Sequence, residues 1–151
     1  MTTYASPPDS EAATAPLSEA EWARLAELRA GIRRYLAWAE QRAHEHDMTP
    51  AQVQLALAIR SHPQPAGPTL TELADTLMLR HHSVVGLVDR AERAGLVRRE
   101  RDQQRASRVH VLLTEAGARR LETLSRLHLA WLAEHGAAFA DVWRAFAPEG
   151  R

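Results

Sequence analysis

Between Thr69 and Gly95 lies the feature that most limits how this chain folds. Thr69-Leu70-Thr71-Glu72 has the form of a capping box, whose first and fourth residues satisfy each other's free backbone N–H groups. The helix it opens is short, running through Leu77. Met78 and Leu79 make a tight connection. Val84, Leu87, Val88 and Ala91 then recur at i, i+3, i+4 and i+7, the apolar stripe of a second helix. Gly95 ends that helix as a left-handed cap. Two short helices joined by about three residues have the dimensions of a helix-turn-helix.

The flanks fit the same plan. Ser18-Glu19-Ala20-Glu21 is another capping box, followed by a stripe of Trp22, Leu25, Leu28, Ile32, Tyr35 (or Leu36) and Ala39 that runs to about His46. Gly31 inside it implies a bend or close packing. Thr49 and Pro50 restart the chain as N-cap and first helical residue, and Val53, Leu55, Leu57 and Ala58 make the second helix largely buried. The breaker cluster Ser61 to Pro68 is a loop. Leu96 to Arg99 and Arg108 to Leu113 are predicted strands, the second alternating with Val109, Val111 and Leu113 inward. The polar stretch between them forms a hairpin tip. Thr114 caps a helix with Ala118, Leu121, Leu124, Leu127, Trp131 and Leu132 on its apolar side, and Phe139, Trp143 and Phe146 mark a last short helix. The predicted class is mainly α, in the order α-α-α-α-β-β-α-α, with a winged helix-turn-helix at the centre.

Composition excludes several functions. The chain has 151 residues, suited to one domain, and no cysteine, which removes disulfides, thiolate nucleophiles and thiolate zinc sites. No apolar run reaches membrane-spanning length. Residues 1–16 have neither a basic nor an apolar segment of a secretory signal and read as a mobile tail, so a cytoplasmic location is expected. All 19 basic residues are arginine, and the formal net charge is zero. Indiscriminate polyanion binding is therefore not expected, although a local basic face is.

Such a face is legible from Arg80 to Arg108, where eight arginines and two histidines stand against four acids in the sequence. A helix N-terminus presents free N–H groups and partial positive charge, which suit a phosphate. Arg80, His81, His82 and Ser83 add donors at that end, while Arg101, Arg105 and Arg108 lie at or beside the hairpin tip, within reach of an adjacent groove or backbone. Val85 and Gly86 share the exposed face. Val85 suits a thymine methyl and Gly86 a close approach, or the pair is an incidental exposed valine and a packing glycine. Asp89 is expected to pair with a nearby arginine.

With these segments in hand, the chain resembles the multiple-antibiotic-resistance regulator (MarR) family of bacterial transcription factors. The matching stretches are "MTPAQVQLALAI", "TLTELADTLML", "SVVGLVDRAERAGLVRR" and "LLTEAG", in the family's order and near its spacing. The resemblance covers about residues 18–147. It implies a single domain over 17–147, with the winged helix-turn-helix at about 49–114 and dimerisation helices at about 18–46 and 115–147. It also implies a homodimer on a palindromic double-stranded DNA operator, repressing until a small-molecule effector binds between the two regions. The family's wing usually carries Asp-x-Arg or Asp-Arg-Arg before its second strand. Here Asp102 to Arg108 reads DQQRASR, so either Asp102 with Arg105 or Arg108 holds that place. The family often has a larger polar residue where Gly86 stands.

Other features carry less. Among eight histidines, His44 with His46 do not share a helix face, and His128 and His135 lie two turns apart, so no metal and no other cofactor is expected. Trp22, Trp38, Trp131 and Trp143 suit a core or dimer interface, with Trp22 and Trp38 the candidates to wall an effector pocket. No phosphate loop, nucleophile elbow or paired metal motif marks an enzyme. The competing readings are a metal-responsive regulator of the same fold and a winged-helix module that binds only protein.

Overall fold

The computed structural model describes residues 16–102, 105 and 108–144. Residues 1–15 of the expected tail lie outside them, as does Phe146, and the side chains of Phe139 and Trp143 are likewise not described. The elements are α1 (Glu19–Glu45), α2 (Pro50–Arg60), α3 (Leu70–Leu77), α4 (His81–Arg93), β1 (Val97–Arg101), β2 (Val109–Leu113) and α5 (Glu115–Arg144).

Three capping boxes set the helix starts. Ser18 with Glu21, Thr49 with Gln52 and Thr69 with Glu72 each bond reciprocally. The second of these is a box that the sequence reading does not anticipate. Backbone and side-chain hydrogen bonds from Thr69 hold the Glu72 carboxyl below its ordinary pKa. Met78 takes the left-handed conformation at φ 52° and turns the chain from α3 into α4. Gly95 does the same after α4, at φ 71°.

The core sits between α2, α3, α4, the sheet and the first half of α5. Leu55, Leu73, Val84, Leu87, Val88, Leu96, Val111, Leu121 and Leu124 are its buried members. The α4 stripe is thus the inward face that its spacing implies. Gly31 is buried in α1, which favours close packing. β1 and β2 pair antiparallel, from Val97 opposite Leu113 to Arg101 opposite Val109.

Two expectations change. The last two helices are one: α5 runs unbroken through residues 136–139 to Arg144. Gly136 lies there, and a single helical glycine costs about 1 kcal/mol, too little by itself to stop a helix. Strict alternation in β2 also fails. His110 is buried beside Val111, while Val109 and Leu113 are only half-buried. The loop before α3 covers the face that alternation would leave to solvent: Val111 N donates to Pro68 O at 2.9 Å, and Thr69 bridges to His110. Among the described residues no helix is long and apolar enough to cross a membrane.

Candidate nucleic-acid interface

The interface begins at the head of α4. Arg80 is its N-cap, in extended conformation and without a side-chain cap. The leading N–H groups of α4 are therefore not covered by a side chain, unlike those of α1, α2 and α3. Arg80, His81 and His82 are exposed, and Ser83, Val85 and Gly86 half-buried. The buried stripe of Val84, Leu87, Val88 and Ala91 fixes which way this face points.

The wing stands beside it. A groove of about 540 Å³ separates the two, lined by Thr69, Leu70, Thr71, Glu72, His81, Arg108 and Val109. It brings the start of α3, the start of α4 and the root of the wing onto one surface. Arg101, Arg105 and Arg108 are all exposed. Arg105 is tied in by its backbone, whose N–H donates to Asp102 Oδ1 at 3.0 Å, and Arg108 N donates to Arg105 O at 2.8 Å. Sequence reasoning missed Thr69, Thr71 and Glu72 as groove residues. Their capping role was legible, but their nearness to Arg108 depends on tertiary packing.

Not every arginine past α4 is available for a ligand. Arg99 is half-buried and forks between Asp89 and Glu92, at 2.5 Å to each. Its backbone N–H also donates to Glu92 Oε1 at 3.2 Å. Desolvation opposes the charge on Arg99, but the hydrogen bonds to Asp89 and Glu92 outweigh it and raise its pKa. Arg99 is thus the arginine that Asp89 pairs with, and it locks β1 to α4. Arg98 pairs with Glu100. The remaining acid of the stretch, Asp102, faces His110. All four acids between Arg80 and Arg108 are therefore occupied within the fold, and Arg80, Arg101, Arg105 and Arg108 keep their charge on the outer face.

The tryptophans expected at a pocket separate. Trp22 is 53% exposed near the start of α1. Trp38 stacks with Trp131 at 5.5 Å and meets His128 at 5.0 Å, inside a cluster that also holds Tyr35. The Tyr35 hydroxyl lies 2.9 Å from His128 Nδ1, and burial lowers the His128 pKa. A separate apolar pocket of about 230 Å³ lies between α2 and α5, lined by Val53, Leu57, Leu121, Leu124, Ser125, His128 and Leu129. Neither Trp22 nor Trp38 lines it. Among the described residues no group of three His, Asp or Glu side chains is placed to hold a metal ion.

Residues 46–106 match the model of the MarR family. No curated protein matches the chain in sequence. Among solved structures, AbsC, a MarR family transcriptional regulator from Streptomyces coelicolor, shares 20% identity over 81% of this chain and 82% of its own, with a TM-score of 0.69. A point mutant of Staphylococcus aureus MepR, bound to an oligodeoxyribonucleotide, shares 22% over 72% of this chain and 78% of its own, at 0.63. CouR from Rhodococcus jostii RHA1, bound to p-coumaroyl-CoA, shares 21% over 71% and 73%, at 0.61. The fold is that of these winged-helix proteins.

Proposed function

We propose that this chain, whose residues 46–106 match the MarR family model, is a sequence-specific DNA-binding transcriptional regulator and not an enzyme. The observation that carries this reading is the single surface formed by the uncapped head of α4 and the wing, with Arg80, Arg101, Arg105 and Arg108 on it and the local acids engaged elsewhere. His82 and Val85 read base edges in the major groove, Gly86 allows the close approach, and Arg80, His81 and Ser83 lie on the flanking phosphates. The wing arginines take the adjacent minor groove or backbone. The DNA-bound MepR variant of the same fold supports the reading. A regulator of this kind works in the cytoplasm, where its DNA is.

The reading extends to a homodimer. Trp22, Leu25, Ile32 and Leu36 on α1, and Leu129 and Leu132 on α5, are exposed large apolar side chains. One subunit leaves them in water, and a second copy covers them. Such a dimer binds a palindromic operator, with half-sites about 34–36 Å apart. We further read the protein as a repressor released by a small, mainly apolar effector. The pocket between α2 and α5 is mainly apolar and adjoins both the helix-turn-helix and the long helices, and the p-coumaroyl-CoA bound to CouR supports ligand binding in this fold, though not the ligand's class.

Selection of bound duplexes from a random pool tests the proposal, followed by a salt titration on the selected site. A palindromic consensus with a steep fall of affinity with salt is expected, at about −0.9 in log–log slope per phosphate contact. A flat titration, or no enrichment, refutes DNA recognition. Sedimentation is expected to give a species near twice 16.8 kDa, and a stable monomer at micromolar concentration refutes the dimer.

A further inference from the structure

One buried imidazole joins the two halves of the proposed DNA surface. His110 in β2 is 7% exposed. Its Nδ1 lies 2.7 Å from the carbonyl oxygen of Gly67, and its Nε2 lies 3.3 Å from Asp102 Oδ2. The other Asp102 oxygen accepts the backbone N–H of Arg105, and Asp102 N donates to Arg108 O at 2.9 Å. A continuous chain of contacts thus runs from the loop before α3, through β2, to the part of the wing that carries Arg105 and Arg108.

The loop end of this chain is built for close contact. Gly67 has φ +79°, and a Cβ there would lie 2.5 Å from Val111 O. Only glycine brings the loop this near to β2. Pro68 then accepts from Val111 N, and Thr69, the next residue, caps α3. The segment that starts the helix-turn-helix is therefore also the segment that holds His110.

We propose that His110 is a positioning residue for DNA binding. It sets where the wing arginines stand relative to α3 and α4 by bridging Gly67 to Asp102, without touching DNA itself. This rests on the DNA-binding reading.

The test uses the full chain and its selected operator duplex, measuring affinity and melting temperature together. H110N keeps an amide N–H where Nδ1 sits but does not reach Asp102. H110Q reaches the place of Nε2. D102A removes the acceptor on the wing, and with it the bond from Arg105 N–H, while leaving His110 bonded to Gly67. H110N and D102A are each expected to weaken operator binding about fivefold, the worth of one hydrogen bond. The double variant is expected to lose no more than D102A alone, because D102A already cuts the link that H110N cuts. D102A is expected to melt with the wild type. H110Q keeps the Asp102 end of the bridge but drops Gly67, so it too is expected to weaken operator binding about fivefold. Additive losses in the double variant overturn the proposal, as does wild-type affinity in D102A. If H110N does not fold, H110Q decides with D102A: wild-type affinity in H110Q overturns the proposal. A wild-type protein that binds no duplex fails the DNA-binding reading, and this inference with it.

Discussion

Replacing Arg99 with methionine keeps an apolar stem on β1 and removes the charge that bridges Asp89 and Glu92 on α4. The two carboxylates belong to α4 and are three residues apart, so the arginine both pairs with them and relieves their mutual repulsion. Its side chain is 25% exposed and its partners 46% and 41%, which places these ion pairs near the surface rather than in the core. Pairs of that kind contribute about 0.2–1 kcal/mol each. Release of like charges at i, i+3 on a helix adds a few tenths more, about 0.2–0.5 kcal/mol. The expected loss is about 1–2 kcal/mol, or roughly 2–4 °C in melting temperature per kcal/mol for a chain of this size. Urea denaturation at fixed protein concentration measures it, at low and at high salt. The difference between R99M and wild type should shrink in high salt, since the pairs are partly screened. Adding Asp89→Asn to R99M should recover part of the loss. If R99M matches wild type at low salt, or if Asp89→Asn costs as much in R99M as it does alone, the lock between α4 and β1 contributes nothing.

Leu87→Ala should lower stability by about 2–5 kcal/mol, because Leu87 is 3% exposed in the core, whereas alanine at His82 or Val85 should leave melting unchanged and weaken the operator by roughly 1–3 kcal/mol. Equal losses on operator and random duplex for His82→Ala would mean that it contacts only the backbone. Arg105→Ala should weaken operator binding at least about tenfold at moderate salt without lowering the melting temperature; unchanged affinity there, with loss of binding in Arg108→Ala, would move the wing contact to Arg108. Burial lowers the His128 pKa from 6.5, so the unfolded chain takes up a proton that the native state resists. Stability should therefore be present above about pH 6.5 and fall as the solution is acidified below it. A melting profile between pH 8 and 5 checks this, and His128→Gln should flatten that part of the profile.

Much of the scaffold was determined by local rules acting within a few residues. Reciprocal caps at Ser18 and Thr69, the spacing of Val84, Leu87, Val88 and Ala91, and the left-handed Gly95 all depend on neighbours in the chain. For that reason the helix-turn-helix, the strand pair and the exposed face of α4 could be read in order from the residues. The unbroken α5 could not, since aromatic residues after Gly136 say nothing of whether a helix stops. Tertiary structure alone decided how the arginines divide. Arg99 and Arg101 look alike in sequence, but Arg99 faces two carboxylates on α4 and Arg101 faces outward. The same holds for His110, which period-2 patterning sends to solvent and a loop 43 residues earlier in the chain encloses. Side-chain periodicity fixes direction relative to an element's own axis. What stands on the other side is set by which distant segment packs there, and for His110 that segment is the glycine turn at Gly67.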